Sequence, residues 1–584
     1  MSPWRILLVG WLVGVAGSAR AGIDVRVRGL GPEEADNVYA QIGILNYAKQ
    51  VDAERGAYDP AEVQRQFEQG EADIRRALQP FGWYNPQIRS RLEGRAPDWT
   101  AIYDVDAGPE TDIEKLDVQL EGPGREDARL KRLAQRTWPL RLGQRLKHAD
   151  YEAYKTRLLQ AANNEGYLDA SYTRHELRVD VRTNRAQVWL TLDTGPRWYF
   201  GAVTLEQDGR LKDSLLRRYL KIVPGEPFDS AKVLATQFAL SDLDYFKSVE
   251  MEPRKDLAGP DRRIPVIIHT ESKKPRVYKL GAGYGTDTGP RALAGVEWRR
   301  LNENGHKLRI ELRPSQNIST GIAEYRIPWG TTPGDSLSFT AQGLKQEFQG
   351  IDEKLYSFGT AYQRQAGSWQ RRFYLDYTND DYALPGESRI DSVLLTPGLS
   401  LSRTEVDDPI RPRRGWFVFL DLHGATRTLA SDTDFIEGLV KLRGVYPLSW
   451  RLRLLARAEE GAAFVARFQN LPPSQRFFAG GDESVRGYAY QSLGPKDAHG
   501  NLVGGKYLTT GSLELDWDVY KSYGLAVFGD AGGADDVPNV RLHYGAGLGL
   551  RYRAPFGAIA VDLAHPFDRG AEAVRLHLGV RVGL

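Results

Sequence analysis

Cysteine is absent from the 584 residues. That excludes disulfides, thiolate metal sites and cysteine nucleophiles. Methionine occurs only twice, and no apolar run reaches the roughly 20 residues that a membrane helix needs. A helical membrane protein is therefore excluded. A transmembrane β-barrel is not, because its strands are about 9–11 residues long and alternate between apolar and polar. Excess charge of one sign is missing too: 78 Lys+Arg against 76 Asp+Glu leaves +2. No basic footprint for nucleic acid results. Only nine His occur, and neither H-E-x-x-H nor G-x-S-x-G is present. Gly281-Ala282-Gly283 and Gly545-Ala546-Gly547 lack the strand–helix setting of a nucleotide loop. They read as lumen-facing barrel glycines. Asp562 and His565 fall on opposite faces of an alternating segment, which argues against a catalytic pair. No enzyme, no cofactor and no metal site is expected.

What the chain does have is 61 aromatic residues, 60 Gly and an unusual beginning. Arg5 precedes the apolar run Ile6 to Ala16, which leads to Ala19-Arg20-Ala21. This order describes a secretory signal peptide over residues 1–21, with cleavage after Ala21. Loss of Arg5 and Arg20 leaves 76 residues of each sign.

Glycine marks a change of character near Lys274-Pro275. Residues 1–274 hold 21 Gly and residues 275–584 hold 39. The first part carries an internal repeat, the signature of an array of similar units. Asp106-Ala107-Gly108-Pro109 returns 87 residues later as Asp193-Thr194-Gly195-Pro196, and Gly82-Trp83-Tyr84 returns 84 residues later as Gly166-Tyr167-Leu168. A looser third copy places Tyr245-Phe246 before the strand Val249–Glu252. Each copy reads strand, helix, helix, strand, strand. The predicted units are 22–108, 109–195 and 196–274. Asp59-Pro60 predicts a capped helix start, and Asp150 and Asp229 are placed to cap later helices.

Residues 275–584 predict sixteen alternating strands. The plainest is the last: Val574, Leu576, Leu578, Val580, Val582 and Leu584 share one face, with Arg575, His577, Gly579, Arg581 and Gly583 on the other. Lipid outside and a polar lumen inside impose this pattern. The fold class is thus α+β repeats followed by an all-β sixteen-stranded transmembrane barrel.

One connection is long. From about Phe468 to Lys506 no strand is predicted, yet Arg476 to Tyr488 carries three aromatics and adjacent glycines, unlike a disordered segment. A loop folded back into the lumen is expected. Arg486 then needs carboxylates, because a guanidinium stays charged and is costly to desolvate alone. Glu514 and Asp530 face the lumen by alternation and are the expected partners pinning the loop to the wall.

These features resemble the outer-membrane insertase superfamily that includes BamA, TamA, their mitochondrial counterpart and the two-partner secretion transporters. Val485-Arg486-Gly487-Tyr488 resembles the family's signature on its sixth extracellular loop. Phe528-Gly529-Asp530-Ala531-Gly532 resembles its F-x-D-x-G strand motif. The segment from Gly545 through Arg551 and Pro555 to Gly557, continuing to Ala564-His565-Pro566-Phe567, resembles its late G-x-G-x-R-x-x-x-P-x-G motif. The repeats resemble POTRA domains, the family's periplasmic modules.

Three such domains before a barrel of this size are most similar to the TamA branch. That resemblance implies an outer-membrane location and a barrel whose first and last strands meet weakly, here Val277–Gly285 and Val574–Leu584. The seam residues are then Gly281, Gly283, Gly285, Leu578, Gly579, Gly583 and Leu584; the family's terminal residue is usually aromatic, and here it is Leu584. The implied function is assembly of autotransporters and other outer-membrane proteins. The implied partners are a TamB-like inner-membrane protein, unfolded outer-membrane proteins and outer-membrane lipid, with movement of phospholipid as a further role. The alternative is a two-partner-type secretion pore with one dedicated client. A passive porin would have no use for three periplasmic domains.

Overall fold

The computed structural model describes residues 22–54, 57–287, 289–555, 557–568 and 574–581. The expected signal peptide 1–21 and the seam residues Gly583 and Leu584 lie outside them. The chain divides into two compact units. One runs through Ala202 and adds Val223–Ala231 and Arg254–Pro265; the other holds Val203–Ile222, Lys232–Pro253 and everything from Val266.

Three small sheets precede the barrel. Each has three strands, with the last strand of the repeat in the middle. In the first, Asp98–Asp106 pairs parallel with Ile23–Arg28 and antiparallel with Gln87–Arg95. In the second, Arg185–Asp193 stands likewise between Asp112–Glu121 and Ser171–Asp180. The third orders Tyr199–Gln207, Arg263–Ser272 and Phe246–Pro253. The central strands carry the apolar load, as with Val188, Leu190 and Leu192 against Leu130, Tyr154 and Leu158 of the helices.

Two helix details depart from the sequence reading. The first repeat has three helices, Pro32–Gln41, Gly43–Glu54 and Pro60–Leu78. The break falls where Ile42 takes extended backbone, and the freed Gly43 N–H donates to the Asp73 carboxylate at 2.8 Å. Asp150 does not cap its helix. Leu146 N–H is tied to Thr111 O, so the chain turns at Lys147; the helix begins at His148 with Asp150 inside its first turn. Asp59 does cap, accepting from Ala61 N–H at 3.0 Å, and Asp229 accepts from Ala231 N–H at 2.8 Å.

The barrel is one antiparallel sheet of sixteen strands in chain order, from Arg276–Gly285 to Arg575–Arg581. Several strands are much longer than the alternation suggested. Arg372–Tyr377 is legible in the sequence, but the strand is Trp369–Ala383. Phe373, Leu375 and Tyr377 form its exposed outward band. Beyond them Asn379 and Asp381 keep the same parity outside lipid, where polar residues hide the pattern. With the repeats in the periplasm, as the resemblance implies, the first strand runs outward and every odd-numbered strand of the barrel ends at the extracellular side.

Candidate functional site

The eleventh strand, Leu452–Val465, and the twelfth, Tyr507–Tyr520, are joined by the long segment 466–506. It contains no named strand but is not loose. Phe477 and Gly505 exchange backbone hydrogen bonds at 2.9 and 2.8 Å, and Ala479 and Leu493 do the same at 2.9 Å. Phe477, Ala479, Val485, Tyr488 and Leu493 are buried against Ala463, Leu508 and Ala534 of the wall. A loop with its own ladder and apolar core enters the lumen as a structured plug.

Arg486 is its largest fully buried side chain, 1% exposed. Nε and Nη2 grip Asp530 through both carboxylate oxygens at 2.7 and 2.8 Å. Nη1 reaches Glu514 at 2.7 Å and Asp562 at 3.0 Å. Nη2 also donates to Ser512 Oγ at 3.2 Å, and the guanidinium lies over the Phe528 ring, 3.3 Å from its centroid. Arg551 completes the cluster, donating to Glu514 at 2.7 Å and pairing with Asp562. Bidentate, charge-assisted bonds of this kind are the strong class. A buried ion cluster costs desolvation, but removing one member of such a cluster strands the others, at about 3–5 kcal/mol.

Register explains why these groups meet. Ser512 stands opposite Asp530, and Glu514 opposite Phe528. Gly549 stands opposite Asp562. Side chains two apart share a face, so four neighbouring strands present their polar lumen side to one guanidinium. Two wall glycines make the space. A Cβ at Gly545 would run into the Arg486 carbonyl, and one at Gly549 into Asp562 and Arg551. Gly487 takes φ +98°, a region costly for other residues. Its N–H donates to His577 Nε2 at 2.9 Å. Tyr488 OH donates to Asp568 at 3.1 Å, and Val485 is fully buried.

Among the described residues no ladder joins the first strand to the last, which end the strand order. Among the described residues the last strand has seven register pairs with Gly557–Pro566, and the first has ten with Gly289–Trp298. On the first strand Tyr278, Leu280 and Tyr284 are exposed. Gly281 and Gly283 have ordinary room for a Cβ, and Gly579 has nothing within 4 Å. Gly285 pairs with Gly289 at the hairpin end, and Leu578 N–H donates to Thr286 Oγ1 at 2.8 Å. The loop touches both sides of this gap. Asp482 N–H donates to Asp287 at 2.9 Å, and its carboxylate meets His577.

Asp562, Arg551, Ser512 and Phe528 were not named as partners from sequence, although each has lumen parity on its strand. Asp562 is 2% exposed inside the cluster, whereas His565 points away and stacks edge-on against Phe567.

Comparison with known proteins agrees with this architecture. Residues 301–581 match the Omp85 superfamily domain. Residues 24–107 match a POTRA domain described as TamA domain 1, and 198–273 match POTRA, the surface antigen variable number repeat. The outer membrane protein assembly factor BamA of Nitratidesulfovibrio vulgaris is 23% identical over 395 residues, 64% of this chain and 49% of that protein. BamA of Neisseria meningitidis is 22% identical over 475 residues, 69% of this chain and 59% of that protein. The chain thus spans about half to three-fifths of these relatives. The crystal structure of BamA from Haemophilus ducreyi lacking POTRA domains 1–3 superposes with a TM-score of 0.64 at 17% identity, covering 81% of this chain and 99% of that one. The chain therefore carries a barrel that matches the Omp85 superfamily domain behind domains that match POTRA modules, the build of an outer-membrane protein whose N-terminal domains lie in the periplasm.

Proposed function

We propose that this protein is a non-enzymatic insertase/translocase subunit of the outer membrane, assisting assembly of autotransporters and other outer-membrane proteins. The observation that carries it is the contrast between a wall locked around Arg486 and a seam without a ladder. Unpaired backbone at the seam is a template for an incoming strand, by the main-chain logic of β-augmentation. The loop stays pinned while the edges part, because its ion cluster draws on Ser512 to Asp562 and not on the first strand. Val485, Arg486, Gly487 and Tyr488, with Glu514 and Asp530, are on this reading the pinning machinery, and the seam residues the gate.

The match of residues 24–107 to a TamA first domain supports the TamA branch. On that reading a TamB-like inner-membrane protein is the partner, and phospholipid transport is a second output. The edge strands of the periplasmic sheets, such as Gln87–Arg95, offer the docking edge for clients or partner. The built plug in the lumen argues against an open secretion pore.

The absence of cysteine makes the test clean. One cysteine on Arg276–Gly285 and one on Arg575–Arg581 would lock the seam. Insertion of an unfolded autotransporter barrel into liposomes is then followed by protease protection. Reduction should restore accelerated insertion. Equal rates for locked and reduced protein would remove the seam from the mechanism.

A further inference from the structure

A second set of buried lumen acids lacks what the Arg486 cluster has. Glu353, on Ile351–Ala366, and Asp380, on Trp369–Ala383, are both 0% exposed. Register makes them diagonal neighbours on adjacent strands, Asp380 standing two residues before the partner of Glu353. Ionised carboxylates only accept hydrogen bonds, so neither satisfies the other; Gln346 donates to Glu353 Oε2, a neutral donor that leaves the charge unbalanced. Among the described residues no Lys, Arg or His forms a salt bridge with either. The nearby Arg476 donates instead to the backbone carbonyls of Leu471, Val503 and Gln469 at 2.7, 2.9 and 3.4 Å. Glu514, Asp516, Asp530 and Asp562, equally buried, each hold an arginine.

The surroundings are rich in oxygen. Register sets Tyr382 opposite Glu353 and Ser392 opposite Asp380, all on the lumen face near the extracellular end of the wall. Tyr382 is 0% and Ser392 3% exposed. Four side-chain oxygens here have no hydrogen-bond partner: Glu353 Oε1, Asp380 Oδ1, Tyr382 OH and Ser392 Oγ. Ser474 of the plug donates to Asp380 Oδ2 at 2.6 Å, so the plug meets the wall at this point. One shared proton would join two carboxylate oxygens and leave the hydroxyls without a reason to be buried there. A hard cation gathers about 6–8 oxygens of this kind and neutralises two carboxylates. The lack of imidazole or thiolate disfavours zinc. Mg²⁺ demands a near-ideal octahedron, whereas Ca²⁺ accepts an irregular oxygen set that water completes, which favours Ca²⁺.

We propose that Glu353, Asp380, Tyr382 and Ser392 form a Ca²⁺ site at the extracellular end of the barrel. Through Ser474 the site fastens the plug to the wall on the side away from the Arg486 cluster. It stands apart from the insertase reading and is tested without any insertion assay.

The test uses the full mature chain, refolded in detergent, stripped of metal and titrated calorimetrically with CaCl₂ alone. One Ca²⁺ per chain should bind. Affinity should fall at least tenfold in Glu353→Gln and in Asp380→Asn, and stay unchanged in Asp391→Asn, an exposed acid on the neighbouring strand. Ca²⁺ should also slow trypsin cleavage within 466–506. No saturable binding by the wild-type chain would overturn the proposal and leave a proton-sharing acid pair. Wild-type affinity in Asp380→Asn would overturn it as well. If the acid variants fail to refold, Ser392→Ala removes one neutral oxygen and should weaken binding about threefold; undiminished affinity there would have the same consequence.

Discussion

The wall from Tyr507 to Pro566 and the seam between Arg276–Gly285 and Arg575–Arg581 belong to one sheet but are built to opposite rules. In the wall, long ladders converge on a guanidinium with three carboxylates, and Gly545, Gly547 and Gly549 sit where a side chain has no room. At the seam no ladder joins the first strand to the last among the described residues, and Gly281, Gly283 and Gly579 sit where a side chain would fit. The same residue type therefore means two things. Beside Arg486 it permits close approach; at the seam it thins a strand that packing does not require to be thin. On the proposed reading, a sheet rigid on one side and without a closing ladder on the other opens without losing its fold.

The largest expected break of this contrast is Arg486→Ala. It leaves Asp530, Glu514 and Asp562 short of a shared cation and should cost about 3–5 kcal/mol, with new protease cleavage in 466–506. Denaturant unfolding and a digestion time course measure both. Unchanged protection would show that the ion cluster does not hold the plug. Next is Gly545→Ala, which pushes a methyl into the Arg486 carbonyl. Overpacking of this order costs about 1–3 kcal/mol, and the loss should appear in the wall strands by hydrogen exchange. The same kind of change at the seam should have the opposite sign. Gly579→Val places a β-branched residue in open space and should stabilise the edge by up to about 1 kcal/mol. Client insertion should slow, where Gly545→Ala leaves the seam free.

A smaller effect lies in the first unit. Tyr84 OH and His148 Nε2 are 2.7 Å apart between the first two repeats. Burial holds the His148 imidazole below its ordinary value. A depressed histidine contributes stability that is present above its ordinary value, near 6.5, and is lost as pH falls. Melting of a fragment spanning both repeats should therefore drop between pH 7 and 5, and His148→Gln should flatten the change.

Much of this was legible in the sequence. Period-two alternation gives the barrel class and lumen parity, and a spacing of 84–87 residues gives the repeats. Arg486 stood out because a long, aromatic-rich connection places a permanent charge where water is scarce. Glu514 and Asp530 shared lumen parity within distinctive motifs. Asp562 and Arg551 had that parity too, but parity names a face and not a height. Height depends on strand stagger, which appears only once the register from Leu452 to Pro566 is fixed. The extra helix in the first repeat turned on Asp73 capping Gly43 from 30 residues away. Strand ends were underestimated because Asn379 and Asp381 continue a strand beyond the lipid band.

Native-state hydrogen exchange on the refolded barrel in lipid nanodiscs tests the central contrast most directly. Amides of Arg276–Gly285 and Arg575–Arg581 should exchange at least tenfold faster than those of Tyr507–Tyr520 and Tyr523–Asp535, with the plug protected like the wall. Equal protection of seam and wall would contradict a barrel built to open at one edge.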